Sequence, residues 1–443
     1  MHGNEKSGAI GTGSPCLILG AGVSGKAAEN LLRAEGAAVF VAPATEGGAV
    51  VERFAGEAST SAGSGPSAGA SSLTVVASPG IPPGDPEIVR AKELGMRVIG
   101  EMQLGVSRFK GRVIAITGSK GKSSLVKLVA DTLCLAGVRA VPCGNYGLAM
   151  CGVAAMNPQP DVAVLECSSF QLEYGPMSPA PDAALLLNIM PDHLDRHGTM
   201  ENYRAAKMNI FGNMRDDALR LMPEDLTAPQ MSTFLAPEDF TAPQAPTVPT
   251  PVGTPVGAPV GSYFDNEILR PAAVAAVKIL HWFGLSDAQI SAGFAAFEPL
   301  PHRMEKVAEH AGVLFVNDSK ATSLAAMLAA VRMSAKPVFL IAGGRLKEKD
   351  LPDGKILLES GVKKAYIVGE CAGLMSDVWR SDLPTEVCGV MKRAVSSAFG
   401  DALAAGGGTV LLSPGTASFD QYTNYEKRGE DFAAEVKNIT TAI

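Results

Sequence analysis

The chain has 443 residues, enough at about 150 residues per domain for about three domains with separate cores. Its 38 Lys and Arg residues against 45 Asp and Glu residues give a net charge of −7, which provides no general attraction for nucleic acid or an anionic membrane. An apolar fraction of 47% with 48 glycines excludes a disordered chain and is typical of an α/β enzyme.

The cysteines and the N-terminus indicate the compartment. The seven cysteines are scattered and include no C-x-x-C pair, which predicts reduced thiols and no zinc cluster. The N-terminus lacks the apolar segment of a signal peptide, and no apolar run approaches the ~20 residues of a membrane span. We therefore expect a cytoplasmic protein without membrane insertion. Nucleic acid is not expected as a partner, and a monomer is a separate expectation that these features do not establish.

The first predicted unit, in residues 15–43, is a strand (CLILG), a glycine turn (AGVSG), a helix (KAAENLLRAEG) and a second strand (AAVFVA). The turn Gly20-x-Gly22-x-x-Gly25 is of the kind that lets a diphosphate approach a helix N-terminus. An NAD site needs an acidic residue at the end of the next strand, where Ala42 and Pro43 stand instead. NAD binding, binding of another diphosphate and a purely structural turn stay open on these residues.

Two low-complexity segments interrupt the pattern. Residues 55–72 are small and polar, bury little apolar surface, and are predicted to form a mobile surface loop. Residues from about 223 to 261 repeat PEDLTAPQ and PEDFTAPQ and continue as TPVG, TPVG and APVG. Proline at this spacing blocks a helix, so we predict an extended insertion without an assigned function; binding of an SH3-type partner is the alternative.

A second glycine turn follows the strand RVIAIT and precedes the helix LVKLVADTLCLAG. It departs from the strict phosphate-loop pattern because Ile116 occupies the position of the first glycine. In this strand–turn–helix context we predict that backbone N–H groups cradle ATP phosphates, that Lys122 neutralises them and that Ser123 binds Mg²⁺. The predicted ATP-binding residues of the turn are Gly118, Ser119, Lys120, Gly121, Lys122, Ser123 and Ser124. The alternative is a lysine-bearing turn without a ligand.

Charged residues follow in the middle third of the chain, near the ends of the predicted strands DVAVLEC and DAALLLNIM. They are Glu166, Asp192, His193 and Asp195, with Lys207 on a helix. Taken singly, these would be a surface carboxylate, loop side chains and a solvated lysine. Behind a phosphate loop, at the ends of parallel strands, they are predicted to bind Mg²⁺ or to support its ligands.

The last third reads as another α/β domain. Its predicted strands are HAGVLFVND, KPVFLIAGG, KKAYIVG and TVLLSPG, interleaved with helical stretches such as SLAAMLAAVRMSA. The sequence thus predicts an α/β protein of three domains.

Six ordered segments, spanning nearly the whole chain, resemble the Mur ligases. They are TGSKGKSS, LECSSFQLE, NIMPDHLDRH with YRAAK, LPHRMEKV, FVNDSKATS and LLSPGTASFDQYTNYEKRGEDF. The resemblance implies ATP-dependent addition of an amino acid to a UDP-linked carboxylate substrate through an acyl phosphate, in peptidoglycan precursor synthesis. The tripeptide Lys320-Ala321-Thr322 implies D-glutamate as the amino acid and UDP-N-acetylmuramoyl-L-alanine as the acceptor.

The resemblance also implies the domain layout: a Rossmann-like UDP-binding domain in residues 1–101, a central phosphate-loop ATPase domain with a parallel sheet in 102–300, and a Rossmann-like amino-acid domain in 301–443. Two Mg²⁺ ions are implied, one bound by Ser123 and Glu166 and the other by His193. Lys207 matches a lysine that is carbamylated in the family, which converts a cation into an anionic ligand. Together with Lys122, Glu166 and His193 it completes the implied catalytic set.

Further binding residues are carried over from the same resemblance. Arg303 would approach the γ-phosphate, Asp318 the ribose hydroxyls and Asn266 the adenine. Asp318 is otherwise a loop cap. The implied substrate-binding residues are Gly80, Asn145, Lys320, Thr322, Lys347, Ser418 and Tyr425.

The sequence departs from the family pattern in three places. Ala42 and Pro43 replace an acidic residue and a threonine, Leu269 replaces the second asparagine of an adenine-side pair, and the proline-rich insertion lies in the central domain. One alternative is a related ligase such as folylpolyglutamate synthase, which lacks the first glycine-turn domain. The other is a catalytically inactive, nucleotide-sensing or scaffold protein.

Overall fold

The computed structural model describes residues 14–43, 48–61, 73–226, 263–264, 269–346 and 351–441. The chain divides into two compact units, Met1–Phe297 and Glu298–Ile443. Its strands form three separate, mainly parallel sheets, which confirms the predicted α/β class. No helix in the described part of the chain has the length and apolar character to cross a membrane. All seven cysteines are free thiols.

The first sheet is formed by four parallel strands flanked by helices. The strands are β1 (Cys16–Leu19), β2 (Val39–Ala42), β3 (Thr74–Ala77) and β4 (Arg97–Gly100), and the helices are α1 (Val23–Ala34), α2 (Ala49–Ser61), α3 (Pro86–Glu93) and α4 (Glu101–Arg108). The strand order is β2–β1–β3–β4, with β1 and β3 buried along their whole length. Because β1 and β3 are neighbours, the turns after them, with Gly20 and Gly80, come at the same carboxyl edge.

The predicted loop over residues 55–72 is wrong for its first part, because α2 extends to Ser61. Val50, Val51, Phe54 and Ala58 are buried and give the helix an apolar face, which the small polar residues between them conceal in the sequence. Residues 62–72 lie outside the described part of the chain.

The second sheet has five parallel strands. They are β5 (Arg112–Thr117), β6 (Ala140–Gly144), β7 (Val162–Glu166), β8 (Ala183–Leu186) and β9 (Leu219–Leu221); the helices are α5 (Lys122–Leu135), α6 (Met150–Ala154), α7 (Ser169–Leu172), α8 (Leu194–His197), α9 (Met200–Met208), α10 (Arg270–Trp282) and α11 (Asp287–Ala295). The order β6–β7–β5–β8–β9 puts β5 between β7 and β8. The turn after β5 is therefore flanked by the segments that leave β7 and β8.

The proline-rich segment is described only over its first residues. Pro223–Leu226 form one turn of 3₁₀ helix, so the expectation of an extended chain is wrong for these four residues. Proline is tolerated at the first position of a helix, where no N–H donor is needed. The rest of the segment, up to residue 262, lies outside the described part.

The third sheet lies in the second unit and has six strands. They are β10 (Glu305–His310), β11 (Val313–Asn317), β12 (Val338–Gly343), β13 (Val362–Val368), β14 (Thr385–Gly389) and β15 (Gly408–Leu412); the helices are α12 (Leu324–Met333), α13 (Gly354–Glu359), α14 (Ala372–Trp379), α15 (Met391–Ala404) and α16 (Tyr425–Thr441). The order is β10–β11–β15–β12–β13–β14. Among these described strands, only β10 and β11 pair in antiparallel orientation. A tight turn at Ala311 and Gly312, which both have positive φ, connects these two strands.

Candidate active site

The turn between β5 and α5 is shaped by two glycines. Gly118 has φ +154° and Gly121 has φ +83°, and α5 begins directly at Lys122. A Cβ on Gly121 would lie 3.0 Å from the side chain of Leu187. Ile116, which stands where the strict pattern has glycine, is a buried residue of β5. The turn therefore begins later than in the strict pattern, after the strand has ended.

Lys122 closes over this turn. Its Nζ donates hydrogen bonds to the carbonyl oxygens of Gly118 (2.8 Å) and Ser119 (3.2 Å). Ser123 and Ser124 are buried in the first turn of α5. An ammonium held on the turn's own carbonyl groups is at the correct place to meet an anion that binds there.

Asn188, two residues after β8, is a site residue that the sequence analysis missed. Its Oδ1 accepts hydrogen bonds from the N–H groups of Ser119 (3.0 Å) and Lys120 (2.9 Å), and its Nδ2 donates to the carbonyl oxygen of Lys120 (3.1 Å). Two N–H groups of the predicted phosphate cradle therefore already have a protein acceptor. The available signal was an asparagine just after a buried strand, at the same sheet edge as the turn.

Helix α9 presents Tyr203 and Lys207, one helical turn apart, to the same loop. The hydroxyl of Tyr203 is 2.9 Å from Ser119 Oγ. Lys207, only 1% exposed, donates from Nζ to Gly118 O (2.9 Å) and lies 4.6 Å from the centre of the Tyr203 ring. Burial, and next the positive charge of Lys122, lower the pKa of Lys207 to about 7. A large fraction of this amine is therefore uncharged at neutral pH.

Glu166 is the last residue of β7 and is buried. Its Oε1 accepts a hydrogen bond from Asn145 Nδ2 (2.8 Å), whereas Oε2 has no hydrogen-bond partner among the described residues. A buried carboxylate oxygen without a donor is energetically costly unless a cation approaches it. Carboxylate oxygen is also a preferred ligand of Mg²⁺, so Glu166 fits the predicted metal role.

The surroundings of His193 fit a metal-binding role less closely than those of Glu166. Its side chain is 50% exposed, and its backbone is in the left-handed region (φ +53°). The ring packs edge-on against Phe170 of α7, with ring centres 4.9 Å apart. The neighbouring Asp192 reaches Lys120 at 3.4 Å. Within the described ranges, no three His, Cys, Asp or Glu side chains are grouped to hold a metal ion, so the roles of Glu166 and His193 as ligands stay predictions.

The glycine turn after β1 is tightly packed. A Cβ on Gly25 would lie 1.8 Å from the carbonyl oxygen of Gly20, and one on Gly20 would lie 2.7 Å from Ser78 Oγ. Only Gly22, at the start of α1, has open space around it. Close packing of strand and helix thus accounts for two of the three glycines.

Gly80, after β3, is tied to the second sheet. Its carbonyl oxygen accepts a hydrogen bond from Arg196 Nη1 (3.0 Å), and Arg196 also pairs with Glu173 at 2.6 Å. Asn145 is exposed at the end of β6, where it holds Glu166. The two predicted substrate residues of the first unit are therefore both connected to the segments around the phosphate turn.

In the second unit, Asp318 follows β11 and is almost fully buried. Its Oδ1 accepts a hydrogen bond from Met304 N (3.2 Å) and its Oδ2 accepts one from Ser413 Oγ (3.0 Å). Burial raises the pKa of Asp318 to about 7, against the opposing effect of these hydrogen bonds and of Arg303, which is half-buried. The carboxyl group is held in one orientation from both oxygens.

Two of the predicted amino-acid residues, Lys320 and Tyr425, meet at the carboxyl edge of the third sheet. Lys320 Nζ donates to the hydroxyl of Tyr425 at 2.6 Å and lies 4.3 Å from the centre of its ring. Thr322 is half-buried two residues further on, and Ser418 is buried after β15. Lys347 and Asn266 lie outside the described residues.

Known proteins match this chain over nearly its whole length. Residues 116–240 match the Mur ligase middle domain. The chain is 34% identical to the UDP-N-acetylmuramoylalanine–D-glutamate ligase of Acidobacterium capsulatum, with 95% of each chain covered. The ligases of the same name from Nitratidesulfovibrio vulgaris and Caulobacter vibrioides are 33% and 35% identical, over 98% and 96% of this chain and 99% and 95% of theirs.

Solved structures show the same fold at lower identity. The UDP-N-acetylmuramate–alanine ligase of Thermotoga maritima matches with a TM-score of 0.52 and 15% identity, over 96% of this chain and 99% of that one. The MurF ligase of Thermotoga maritima in complex with ADP matches with a TM-score of 0.50 and 15% identity, over 79% and 91%. The chain therefore belongs to the Mur ligases, in the family of the UDP-N-acetylmuramoylalanine–D-glutamate ligases.

Proposed function

We propose that this protein is a cytoplasmic, monomeric, ATP-dependent ligase that joins D-glutamate to UDP-N-acetylmuramoyl-L-alanine in peptidoglycan precursor synthesis. The observation that carries the proposal is the convergence of Lys122 and Lys207 on one phosphate turn, with Glu166 at the end of the neighbouring strand β7, in a chain whose relatives bear this activity in their names. A substrate carboxylate oxygen attacks the γ-phosphorus of ATP, and ADP leaves. The amine of D-glutamate then attacks the acyl carbon, loses a proton and expels phosphate.

ATP binding is assigned to the turn and to two residues of the second unit. Residues Gly118–Ser124 hold the phosphates, and Lys122 exchanges its bonds to the turn's carbonyl groups for bonds to phosphate oxygens. Arg303 approaches the γ-phosphate and Asp318 accepts hydrogen bonds from the ribose hydroxyls. Asn266 is assigned to the adenine.

Ser123, Glu166 and His193 would hold two Mg²⁺ ions, whose chemistry is to neutralise charge on phosphate and acyl oxygens. The unpartnered Oε2 of Glu166 supports this assignment. The side chain of His193 is half-exposed, and imidazole nitrogen is a common metal ligand, which supports the second assignment.

Lys207 is proposed to be carbamylated. The uncharged amine attacks the carbon of CO₂ and releases a proton, which leaves an anionic carbamate in place of a cation. The lowered pKa of Lys207 supports this step because only a neutral amine is a nucleophile. A carbamate would also remove the repulsion between the ammonium groups of Lys207 and Lys122.

The UDP-sugar is assigned to residues that follow β3 and β6, and D-glutamate to residues of the second unit. Gly80 and Asn145 contact the UDP-sugar, while Lys320, Thr322, Lys347, Ser418 and Tyr425 bind D-glutamate. The contact between Lys320 and Tyr425 supports a shared pocket for these two residues.

The test is phosphate release from ATP with Mg²⁺ and UDP-N-acetylmuramoyl-L-alanine, comparing D-glutamate with L-glutamate, lysine and diaminopimelate. We expect release with D-glutamate alone. Release with another amino acid would retain the ligase chemistry and overturn the assigned pocket. Release with none would favour an inactive, nucleotide-sensing protein.

A further inference from the structure

Arg428, on the first turn of α16, is fully buried in the second unit. Its side chain is 0% exposed and donates five hydrogen bonds, all to uncharged acceptors. The acceptors are Ser319 Oγ (3.1 Å) and O (2.9 Å), Thr416 O (3.1 Å), Ala417 O (3.3 Å) and Gly343 O (3.5 Å). All five N–H donors of the guanidinium therefore form hydrogen bonds within the protein.

These acceptors belong to three adjacent strand ends. Ser319 follows β11, Thr416 and Ala417 follow β15, and Gly343 ends β12, and the three strands are neighbours in the order β11–β15–β12. The packing is close enough that a Cβ on Gly344 would lie 2.3 Å from Ala417 O. Arg428 thus fixes three loops at the carboxyl edge, where ligands of parallel sheets bind.

The charge of Arg428 has no carboxylate partner at ion-pair distance among the described residues. Asp420 acts on the guanidinium from further away and itself accepts a hydrogen bond from Glu370 N. Burial lowers the pKa of Arg428 to about 10, so the side chain is still a cation at neutral pH. A buried unpaired cation destabilises a fold relative to an apolar residue of similar volume, so this charge needs another reason.

We propose that Arg428 is a positioning residue whose buried charge selects the acidic side chain of the amino-acid substrate. The inference rests on the proposed function. Ser319 and Ala417, which hold the guanidinium, directly adjoin Lys320 and Ser418, and Tyr425 lies three residues before Arg428 on the same helix. The guanidinium therefore orders the residues assigned to the substrate carboxylate and adds a positive potential behind them.

The first test replaces the charge in the full chain. We expect Arg428→Gln and Arg428→Met to raise the KM for D-glutamate about tenfold, with the KM for ATP unchanged within about twofold. Thr409→Val is the packing control, because it alters a buried hydroxyl of β15 that bonds Ala335 O and does not contact Arg428, and it removes no charge. Arg393→Gln is the charge control, because Arg393 is 62% exposed and lies elsewhere in the unit. Both controls should keep the D-glutamate KM.

The second test uses Arg428→Lys, so it does not require the uncharged variants Arg428→Gln and Arg428→Met to fold. In Arg428→Lys, burial should lower the lysine pKa below its usual value, so the charge is lost between about pH 7 and 9. The KM for D-glutamate, divided by that of the wild type at each pH, should rise with pH. Asp420, Tyr422 and Cys371 face this position, and burial raises the pKa of both Tyr422 and Cys371, so neither thiol nor phenol supplies the transition.

A D-glutamate KM that is unchanged in folded neutral variants, or a flat ratio in Arg428→Lys, would overturn the charge role. An equal rise in the KM values for D-glutamate and ATP would likewise reduce Arg428 to a purely structural residue. Wild-type phosphate release with D-glutamate is measured first. If that fails, the proposed function has failed, and this failure is distinct from a failure of the Arg428 inference.

Discussion

The two glycine turns of the first unit share one plan, since each follows a buried strand inside a parallel sheet and leads into a helix. Their surroundings differ. In the first turn, Gly25 is required by a close approach to the carbonyl oxygen of Gly20. In the second turn, Lys122, Asn188 and Lys207 converge on the turn's own backbone groups.

This difference shows what glycine spacing encodes. The spacing specifies a backbone turn that brings a strand and a helix together. Whether the turn does chemistry depends on side chains that adjacent strand ends and helices bring to it. In the second turn, Glu166 and Asn188 arrive from the strands on either side of β5.

The largest expected effect is at Lys207. Lys207→Ala should lower kcat by about 10³-fold or more, because it removes the group proposed to become an anionic ligand. Short carboxylic acids should restore part of the activity in a steady-state phosphate assay. The matched control is Lys127→Ala, a lysine of α5 paired at the surface with Asp131, which should keep its activity. Full activity of Lys207→Ala without added acid would contradict the carbamate.

The next effect separates two buried carboxylates. Glu166→Gln should lower kcat by about 10²-fold with no loss of stability, because the unpartnered Oε2 loses only its charge. Glu87, by contrast, accepts hydrogen bonds from the N–H groups of Gly48, Val50 and Val51. Glu87→Gln should lower the free energy of unfolding by about 1–3 kcal/mol and leave kcat unchanged. Measuring urea unfolding and kcat on both variants tests whether Glu166 affects only activity and Glu87 only stability. A Glu166→Gln enzyme with normal kcat would contradict the metal role.

A stability effect is expected at the first glycine turn. Gly25→Ala should lower the free energy of unfolding by about 3 kcal/mol, because its Cβ meets the carbonyl oxygen of Gly20 at 1.8 Å. Gly22→Ser is the control: it places a favourable capping residue where a Cβ meets nothing within 4 Å. Equal urea midpoints for the two variants would show that Gly25 is not a packing requirement.

A smaller effect is expected at Asn188. Asn188→Ala should raise the KM for ATP about tenfold, because Lys120 N–H loses its acceptor, Ser119 N–H keeps only the backbone carbonyl oxygen of residue 188, and the turn is less ordered before ATP binds. The control is Asn202→Ala, which removes a side-chain amide of α9 that donates a hydrogen bond to His197 O. An unchanged KM would mean that the turn keeps its shape without Asn188.

Much of this arrangement follows from the sequence, for physical reasons. Buried apolar runs and glycine turns predict the central strands, and they place Glu166 correctly at the end of β7. The contacts of Asn188 with Ser119 and of Arg428 with Ser319 could not be predicted, because they join residues 69 and 109 positions apart that meet only when the sheets form. The helix α2 was missed because small residues hide its apolar face.

The pH dependence of Lys207 gives the last and smallest prediction. Its pKa falls from 10.5 to about 7 in the folded protein, so the uncharged fraction should rise about tenfold between pH 6 and 8, where an ordinary lysine stays almost fully charged. Incorporation of labelled CO₂ into decarbamylated enzyme, at fixed dissolved CO₂, should follow this rise. The unfolded chain binds more protons than the folded one between these two pKa values, so unmodified enzyme should also gain stability as the pH rises through 7 towards 10.5. An incorporation midpoint near 10 would show that Lys207 is as solvated as the lysines of the surface. The second glycine turn would then not differ from the first by having a buried lysine of lowered pKa beside it.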